Sequence, residues 1–178
     1  MLILMTGLSG AGKTTLADAL KVKLEAMGMQ AEIIDGDMYR KTMNRDLSFS
    51  AADRRENINR LSRLAYEKMG KDSIVIIAAI APFDDQRLEI KKEMGASIIW
   101  IKCTLTKLLE RDTKGLYKKA FLPDDHPGKL WNLSGINDPY ELPQQADLVI
   151  DTSEYSIDVS VHQLLQYVLS QLSFSKLA

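Results

Sequence analysis

The chain has 178 residues, of which 46% are hydrophobic and 26% charged, and its formal net charge is −1. This length fits one compact domain, and the composition argues against disordered and fibrous proteins. A nearly balanced charge provides no general attraction to nucleic acids or anionic membranes, so an anionic ligand must be captured at a local site.

The sequence shows no sign of export or membrane insertion. Its first residues, MLILMTGLSG, lack a basic segment and lead directly into a glycine-rich loop, which indicates a buried strand. Later apolar runs are far shorter than the roughly 20 residues of a membrane-spanning helix. The single cysteine, Cys103, cannot form an internal disulfide. We expect a cytoplasmic protein without nucleic-acid or membrane partners.

Strand-like apolar runs alternate with segments of helical periodicity along the whole chain. The runs are 2–6, 31–34, 74–80, 97–102 and 146–150. Continuous Val, Ile and Leu runs are typical of parallel strands that helices cover on both faces. The pattern predicts a three-layer α/β/α sandwich with a parallel sheet. Because no repeat or linker-like tract interrupts it, we expect residues 1–178 to form a single domain with a lid-like loop at about 112–143.

A phosphate-binding loop follows the first predicted strand. Residues 7–14 match GxxxxGK[ST] and precede a helical segment at 15–27, the context in which this pattern binds phosphates. Lys13 would reach the β and γ phosphates, and the Thr14 hydroxyl would bind Mg²⁺. The nucleotide-binding candidates are Gly7, Ser9, Gly10, Ala11, Gly12, Lys13, Thr14 and Thr15. The alternative is a glycine-rich turn without a ligand.

Two carboxylates follow the second predicted strand. Asp35 and Asp37 lie where open α/β sheets bind ligands, so they could hold Mg²⁺ and orient or deprotonate an acceptor hydroxyl. A plain turn stabilised by aspartate is the alternative. The loop alone leaves a kinase, a GTPase and a nucleotide-driven machine open, although the chain has no Asn-Lys-x-Asp guanine-reading motif.

Basic residues downstream could bind an anionic acceptor. Arginine side chains match phosphate and sulfate geometry, although any single one is as often part of a solvated surface. A helix should begin at Ser50 and end near Met69, which puts Arg54 and Asn57 on one face. Phe49 precedes this helix, where it could pack against the helix or stack on a base. The other basic candidates are Arg40, Arg111 and Lys114.

The order and spacing of several motifs resemble the adenylylsulfate kinase family of P-loop kinases over about residues 2–152. The motifs are GLSGAGKTT, IDGDMYR, NRDLSFSAADRRENINR, RDTKGLYKKA, SGINDPYE and LVIDT. The resemblance implies the P-loop nucleoside-triphosphate-hydrolase-like fold and ATP-dependent, Mg²⁺-requiring phosphorylation of the 3′-hydroxyl of adenylylsulfate (APS). The products would be ADP and 3′-phosphoadenylylsulfate, for sulfate assimilation. A homodimer is also implied.

The resemblance assigns roles to individual residues. Lys13, Asp35, Asp37 and Lys114 would be catalytic, with Thr14 and Asp35 on the metal and Arg111 near ATP. The acceptor would be bound by Asp37, Arg40, Phe49, Arg54, Asn57, Ile80, Ala81, Lys114, Leu133, Gly135 and Ile136.

Four positions depart from the family pattern around the acceptor. Ala81 replaces a serine, Leu133 replaces a phenylalanine that would stack on the base, Met38 replaces an asparagine and Ala79 replaces a bulky aromatic residue. These changes leave two alternatives open. One is a related kinase for another nucleotide-linked molecule, such as a cytidine diphosphate conjugate, and the other is a regulatory nucleotide-binding module without turnover.

Overall fold

The computed structural model of the protein describes residues 1–70 and 73–174. Strands and helices alternate through this part of the chain. The strands are β1 (Leu2–Thr6), β2 (Gln30–Asp35), β3 (Ser73–Ala78), β4 (Ser97–Lys102) and β5 (Leu148–Asp151). The helices are α1 (Lys13–Ala26), α2 (Gly36–Lys41), α3 (Ala51–Lys68), α4 (Asp84–Met94), α5 (Leu105–Arg111), α6 (Leu116–Ala120) and α7 (Ile157–Phe174).

The strands form one parallel sheet in the order β2-β3-β1-β4-β5. Alternate side chains of the central strand β1 face opposite sides of the sheet, as a pleated strand requires. Ile3 and Met5 pack in a core with α1 and α7, and Leu2 and Leu4 pack in a second core with α3 and α4. The predicted three-layer sandwich with a parallel sheet is confirmed.

Strand β3 ends two residues before the predicted Ile80. The backbone N–H of Ala79 still donates to the carbonyl of Met5 at 3.2 Å, but Ala81 has a φ of 43°. This left-handed conformation turns the chain out of the sheet, and it is unusual for a residue with a Cβ atom. The turn forms part of the rim of the candidate site described below.

Strand β5 begins at Leu148, two residues after the predicted start at Ala146. Asp147 forms two hydrogen bonds with Ile98 of β4, but only one of them is a bond between backbone groups. Its backbone N–H donates to the Ile98 carbonyl at 2.8 Å, and its carboxylate accepts from the Ile98 N–H at 2.8 Å. A side chain therefore closes the ladder at this edge.

Helix α3 begins as predicted, because the Ser50 hydroxyl accepts a hydrogen bond from the Asp53 backbone N–H at 3.1 Å. The Asp53 carboxylate reaches back to the N–H of Ser48 at 3.2 Å. Arg54 and Asn57 are both buried on the face of α3 that meets the candidate site.

The segment at 112–143 combines α6 with turns, and a single bridge pairs Ser134 with Asp138. We call this irregular segment the lid, and its movement over a ligand remains a prediction. In the described part of the chain, no helix has both the length and the apolar character needed to cross a membrane.

Candidate active site

The glycine-rich loop between β1 and α1 forms a tight turn around the start of α1. A Cβ atom at Gly7, where φ is 150°, would lie 2.3 Å from the Ile101 carbonyl oxygen, so only glycine fits this approach. The Lys13 ammonium group donates to the carbonyls of Gly7 and Leu8, both at 2.8 Å. Lys13 is therefore held at the mouth of the loop, where a phosphate would meet both its charge and the helix N-terminus.

The Lys13 ammonium group has lost much of its water in this turn. This desolvation lowers the pKa of Lys13 to about 8, and the charge of Lys114 acts in the same direction, whereas Asp37 and Asp35 oppose it. A bound polyphosphate would favour the charged form. Nucleotide binding at this loop should therefore be linked to proton uptake.

Thr14 and Asp35 are in direct contact across the start of α1. The Thr14 hydroxyl donates to one Asp35 oxygen at 2.6 Å, and the other accepts from the N–H groups of Asp37 and Met38 at 2.8 and 3.0 Å. A hydroxyl and a carboxylate fit Mg²⁺, which takes few protein ligands beside water and phosphate. Among the residues described, no cluster of three or more His, Cys, Asp or Glu side chains offers a larger site.

Asp37 forms an ion pair with Lys114, which comes from the segment before α6. Partial burial would raise the pKa of the Asp37 carboxyl. The hydrogen bond and charge of Lys114, assisted by Lys13 and Lys41, outweigh that effect and hold the pKa below its usual value. Asp37 therefore remains ionised near neutral pH.

A cavity of about 390 Å³ surrounds the glycine-rich loop. All the predicted nucleotide-binding residues from Ser9 to Thr15, and Arg111, line this donor cavity. Gly7 does not line it and acts through its carbonyl on Lys13. The guanidinium of Arg111 is fixed by the Thr152 carbonyl at 2.6 Å.

A second cavity of about 530 Å³ lies between α2, α3 and the lid. This acceptor cavity is lined by most of the residues predicted to bind the acceptor. They are Asp37, Arg40, Phe49, Arg54, Asn57, Ile80, Ala81, Lys114 and Leu133.

The two cavities meet at a shared wall. Ser9, Asp37, Ala79, Ile80 and Lys114 line both of them. A phosphate held by the glycine-rich loop would therefore face a molecule in the acceptor cavity across the Asp37–Lys114 pair. This is the arrangement that transfer of a phosphoryl group between two bound molecules requires.

Gly135 and Ile136 do not line the acceptor cavity. A Cβ atom at Gly135, where φ is 84°, would lie 2.5 Å from a methyl group of Leu8 in the glycine-rich loop. Ile136 packs against the core on the α1 side of the sheet. The structure thus places Gly135 where the lid contacts the loop, and Ile136 on the core beneath the lid.

Arg54 lines the acceptor cavity, but its donors are occupied by the lid and the turn before α3. Its guanidinium donates to the Asn132 carbonyl at 2.6 Å and the Ser134 hydroxyl at 3.0 Å, and its Nε donates to the Phe49 carbonyl at 2.9 Å. It also pairs with Asp138 at 2.8 Å. Arg54 therefore fixes the lid over the cavity.

Phe49 is about half exposed and lies against two arginines. The guanidinium carbons of Arg40 and Arg54 lie 4.7 and 5.4 Å from the ring centroid. The Phe49 ring is therefore positioned as a platform at the edge of the cavity.

Asn57 is buried, and its side-chain oxygen accepts a hydrogen bond from the Asn44 side-chain amide at 3.0 Å.

Several residues at the two cavities were not predicted from the sequence. Thr113, Tyr155 and Ile157 line the donor cavity, and the Tyr117 hydroxyl donates to the Ser9 carbonyl at 2.7 Å. Lys41 lines the acceptor cavity. Lys41 could have been predicted from its position next to the candidate Arg40. The other four residues lie in distant segments without a motif that would mark them as part of a site.

The adenylylsulphate kinase family model matches residues 1–151 of this chain. The chain belongs to that family. An adenylyl-sulfate kinase of Bacillus licheniformis is 40% identical over 173 residues, which cover 96% of this chain and 85% of that protein. The predicted family is therefore confirmed.

Solved structures support the same conclusion. The structure of the Mycobacterium tuberculosis APS kinase in complex with AMPPNP and APS has a TM-score of 0.85 and 32% identity, covering 94% of this chain and 96% of that one. Shikimate kinase of Aquifex aeolicus, at 15% identity and a TM-score of 0.56 over 97% and 98% of the two chains, shares the fold alone. The predicted P-loop fold is confirmed.

Replacing Arg54 with alanine should raise the acceptor KM at least tenfold and change the ATP KM little, because the lid loses three contacts and the turn before α3 loses one, all on the acceptor side. Arg54→Lys should not restore the wild-type value, since an ammonium group cannot reproduce a guanidinium fork. Arg55→Ala is the matched control, because Arg55 pairs with the exposed Asp85 outside both cavities. Equal acceptor KM values for Arg54→Ala and wild type would contradict the lid role.

Proposed function

We propose that this protein is an ATP-dependent kinase that phosphorylates the 3′-hydroxyl of APS, releasing ADP and 3′-phosphoadenylylsulfate for sulfate assimilation. The observation that carries this proposal is the shared wall between the donor and acceptor cavities. Membership of the adenylylsulphate kinase family identifies the reaction class. The ligands of the solved M. tuberculosis relative, AMPPNP and APS, supply the donor and acceptor classes.

ATP would occupy the donor cavity with its phosphates at the glycine-rich loop. Lys13 would contact the transferred group, and Arg111 would flank the nucleotide farther from the loop. Thr14 and Asp35 would hold Mg²⁺, which neutralises charge on the β and γ phosphates when bound. Lys114, held by Asp37 at the shared wall, would stabilise charge on the group in transit.

The acceptor hydroxyl would attack the γ-phosphorus from the other side of the shared wall. As the new oxygen–phosphorus bond forms, the bond to the β-phosphate oxygen breaks and ADP leaves. The hydroxyl proton passes to a carboxylate, which we assign to Asp35. Asp37 is instead held by Lys114 at the shared wall, where the ion pair stabilises its ionised form.

The acceptor cavity would bind APS between Phe49 and the lid. Phe49 would stack on adenine, while Arg40 would face the anionic part of the nucleotide. Leu133 lines the cavity with an aliphatic side chain, so stacking from that direction is weaker than an aromatic ring would give. Closure of the lid excludes water and limits ATP hydrolysis.

We also propose that the chain is a single domain and that it acts as a homodimer in the cytoplasm. The continuous sheet and its two cores support the single domain. The family resemblance supports the dimer, and the cytoplasmic location is proposed with it.

Product analysis tests the function directly. Incubation of the protein with MgATP and APS should give a product one phosphoryl group heavier than APS, and treatment with a 3′-nucleotidase should return APS. A phosphoryl group on another atom of APS, or ADP formation without a phosphorylated product, would contradict the proposed reaction.

A further inference from the structure

The acceptor cavity carries more positive than negative side chains. Its cationic residues are Arg40, Lys41, Arg54 and Lys114, and its one carboxylate is Asp37. A concave surface with an excess of one charge attracts ligands of the opposite charge. The cavity is therefore suited to an acceptor that carries anionic groups.

Two of these cations are already neutralised by protein carboxylates. Lys114 pairs with Asp37 at the shared wall, and Arg54 pairs with Asp138 of the lid at 2.8 Å. Binding an acceptor anion at either residue would compete with an existing ion pair. The excess charge available to a ligand must come from the other two.

Arg40 is partly engaged. Its guanidinium donates to the Ser48 carbonyl at 2.8 Å and lies 4.7 Å from the Phe49 ring centroid. These contacts hold the guanidinium in one orientation without neutralising its charge, because a carbonyl and a ring are both uncharged. Arg40 can therefore contribute charge from a fixed position.

Lys41 is the free cation of the set. It is the last residue of α2 and is exposed at the cavity. Over residues 1–70 and 73–174 its ammonium group has no hydrogen-bond or ion-pair partner, and its charge acts on Asp37 only from a distance. The side chains of its neighbours Arg40 and Asp37 both have such a partner. The Lys41 ammonium group can therefore bind a ligand anion without breaking a hydrogen bond or an ion pair of the protein.

We propose that Lys41 binds the phosphosulfate group of the acceptor and, together with Arg40, makes the cavity selective for nucleotides with two negative charges. This inference rests on the proposed function, which places APS in the cavity. The anionic oxygens of APS lie on the group attached to the ribose 5′ position, so this group is the one that a free ammonium would contact. Lys41 is thus a substrate-binding residue and takes no part in the chemical step.

Direct binding and kinetics of three variants test the role of Lys41. Lys41→Met removes the charge and keeps an unbranched side chain, Lys41→Arg keeps the charge, and Lys23→Met makes the same charge change on the exposed side of α1, outside both cavities. APS binding is measured by calorimetry, and KM and kcat are measured for APS and ATP.

We expect Lys41→Met to raise both the Kd and the KM for APS roughly three- to tenfold, as for a solvent-accessible charged contact. The kcat and the ATP KM should stay within about twofold, and Lys41→Arg and Lys23→Met should resemble wild type. High salt should weaken APS binding to wild type more than to Lys41→Met, because salt screens an exposed charge. A general structural defect would not produce that salt dependence.

The two possible failures are distinguishable. Wild-type protein that binds ATP but neither binds nor phosphorylates APS would overturn the proposed function, and with it the ligand named for Lys41. Wild-type protein that phosphorylates APS, combined with unchanged APS affinity in Lys41→Met, would overturn the role of Lys41 alone.

Discussion

Replacing Lys13 with alanine should lower kcat by about 10²- to 10³-fold, the loss typical of removing one group that stabilises transition-state charge. Among the described residues, the Lys13 ammonium group donates hydrogen bonds only to the carbonyls of Gly7 and Leu8 in its own loop, so the fold should remain intact. Steady-state ADP release measures the effect, and circular dichroism measures the fold. The control is Lys23→Ala on the same helix, which should have wild-type activity.

The pH dependence of ATP affinity gives Lys13 a second, independent test. Because the pKa of Lys13 is lowered to about 8, the charged form is lost as the pH rises through that value. ATP affinity in wild type should therefore weaken above pH 8, approaching about tenfold per pH unit. This dependence should be absent in Lys13→Ala. A pH-independent ATP affinity in wild type between pH 8 and 10 would contradict the role of the ammonium group.

Asp35→Asn should lower kcat by about 10²-fold or more and leave ATP binding nearly unchanged. The asparagine side chain retains an oxygen that can accept from the N–H groups of Asp37 and Met38, so the start of α2 should be preserved. It loses the negative charge that Mg²⁺ and the acceptor proton require. Single-turnover kinetics with saturating ATP and APS measures the chemical step.

Asp37→Asn is the comparison for this prediction. Its effect should be smaller than that of Asp35→Asn, because Lys114 already holds Asp37 in an ion pair. A larger loss of kcat in Asp37→Asn than in Asp35→Asn would transfer the role of base to Asp37.

The fold was largely predictable because its signals are local. The run at Leu2–Thr6 is buried throughout, and the run at Ser97–Lys102 is buried at three of its six positions, so their apolar composition marks their boundaries. The ends of β3 and β5 were predicted less well. At the end of β3, the left-handed conformation of Ala81 turns the chain out of the sheet. At the start of β5, the Asp147 side chain accepts the hydrogen bond that a strand carbonyl would otherwise accept.

The site was predictable where one segment supplies both the residue and its function. The glycine-rich loop is such a segment, since Lys13 and Thr14 act where the loop places them. Arg54 is the opposite case: spacing placed it on the correct face of α3, but its partners Asn132, Ser134 and Asp138 lie about 80 positions later in the chain. Contacts at such separation leave no local pattern.

Three of the four positions that depart from the family pattern lie at the acceptor cavity. Ala79, Ala81 and Leu133 line the acceptor cavity and make its wall more aliphatic, whereas Met38 is exposed and does not line it. Trp131, an aromatic residue of the lid two positions before Leu133, is also exposed outside the cavity, and the Lys129 ammonium group lies 4.5 Å from its ring centroid. Stacking on the acceptor therefore depends on Phe49.

ADP release across a panel of acceptors tests the central claim most directly. The panel consists of APS, a cytidine diphosphate conjugate and nucleoside monophosphates, each assayed with MgATP and with Lys13→Ala as the blank. We expect APS to have the highest kcat/KM, since the chain belongs to the adenylylsulphate kinase family and Phe49 at the acceptor cavity can stack on adenine. Background release with APS, together with rapid turnover of the cytidine-linked acceptor, would contradict the claim.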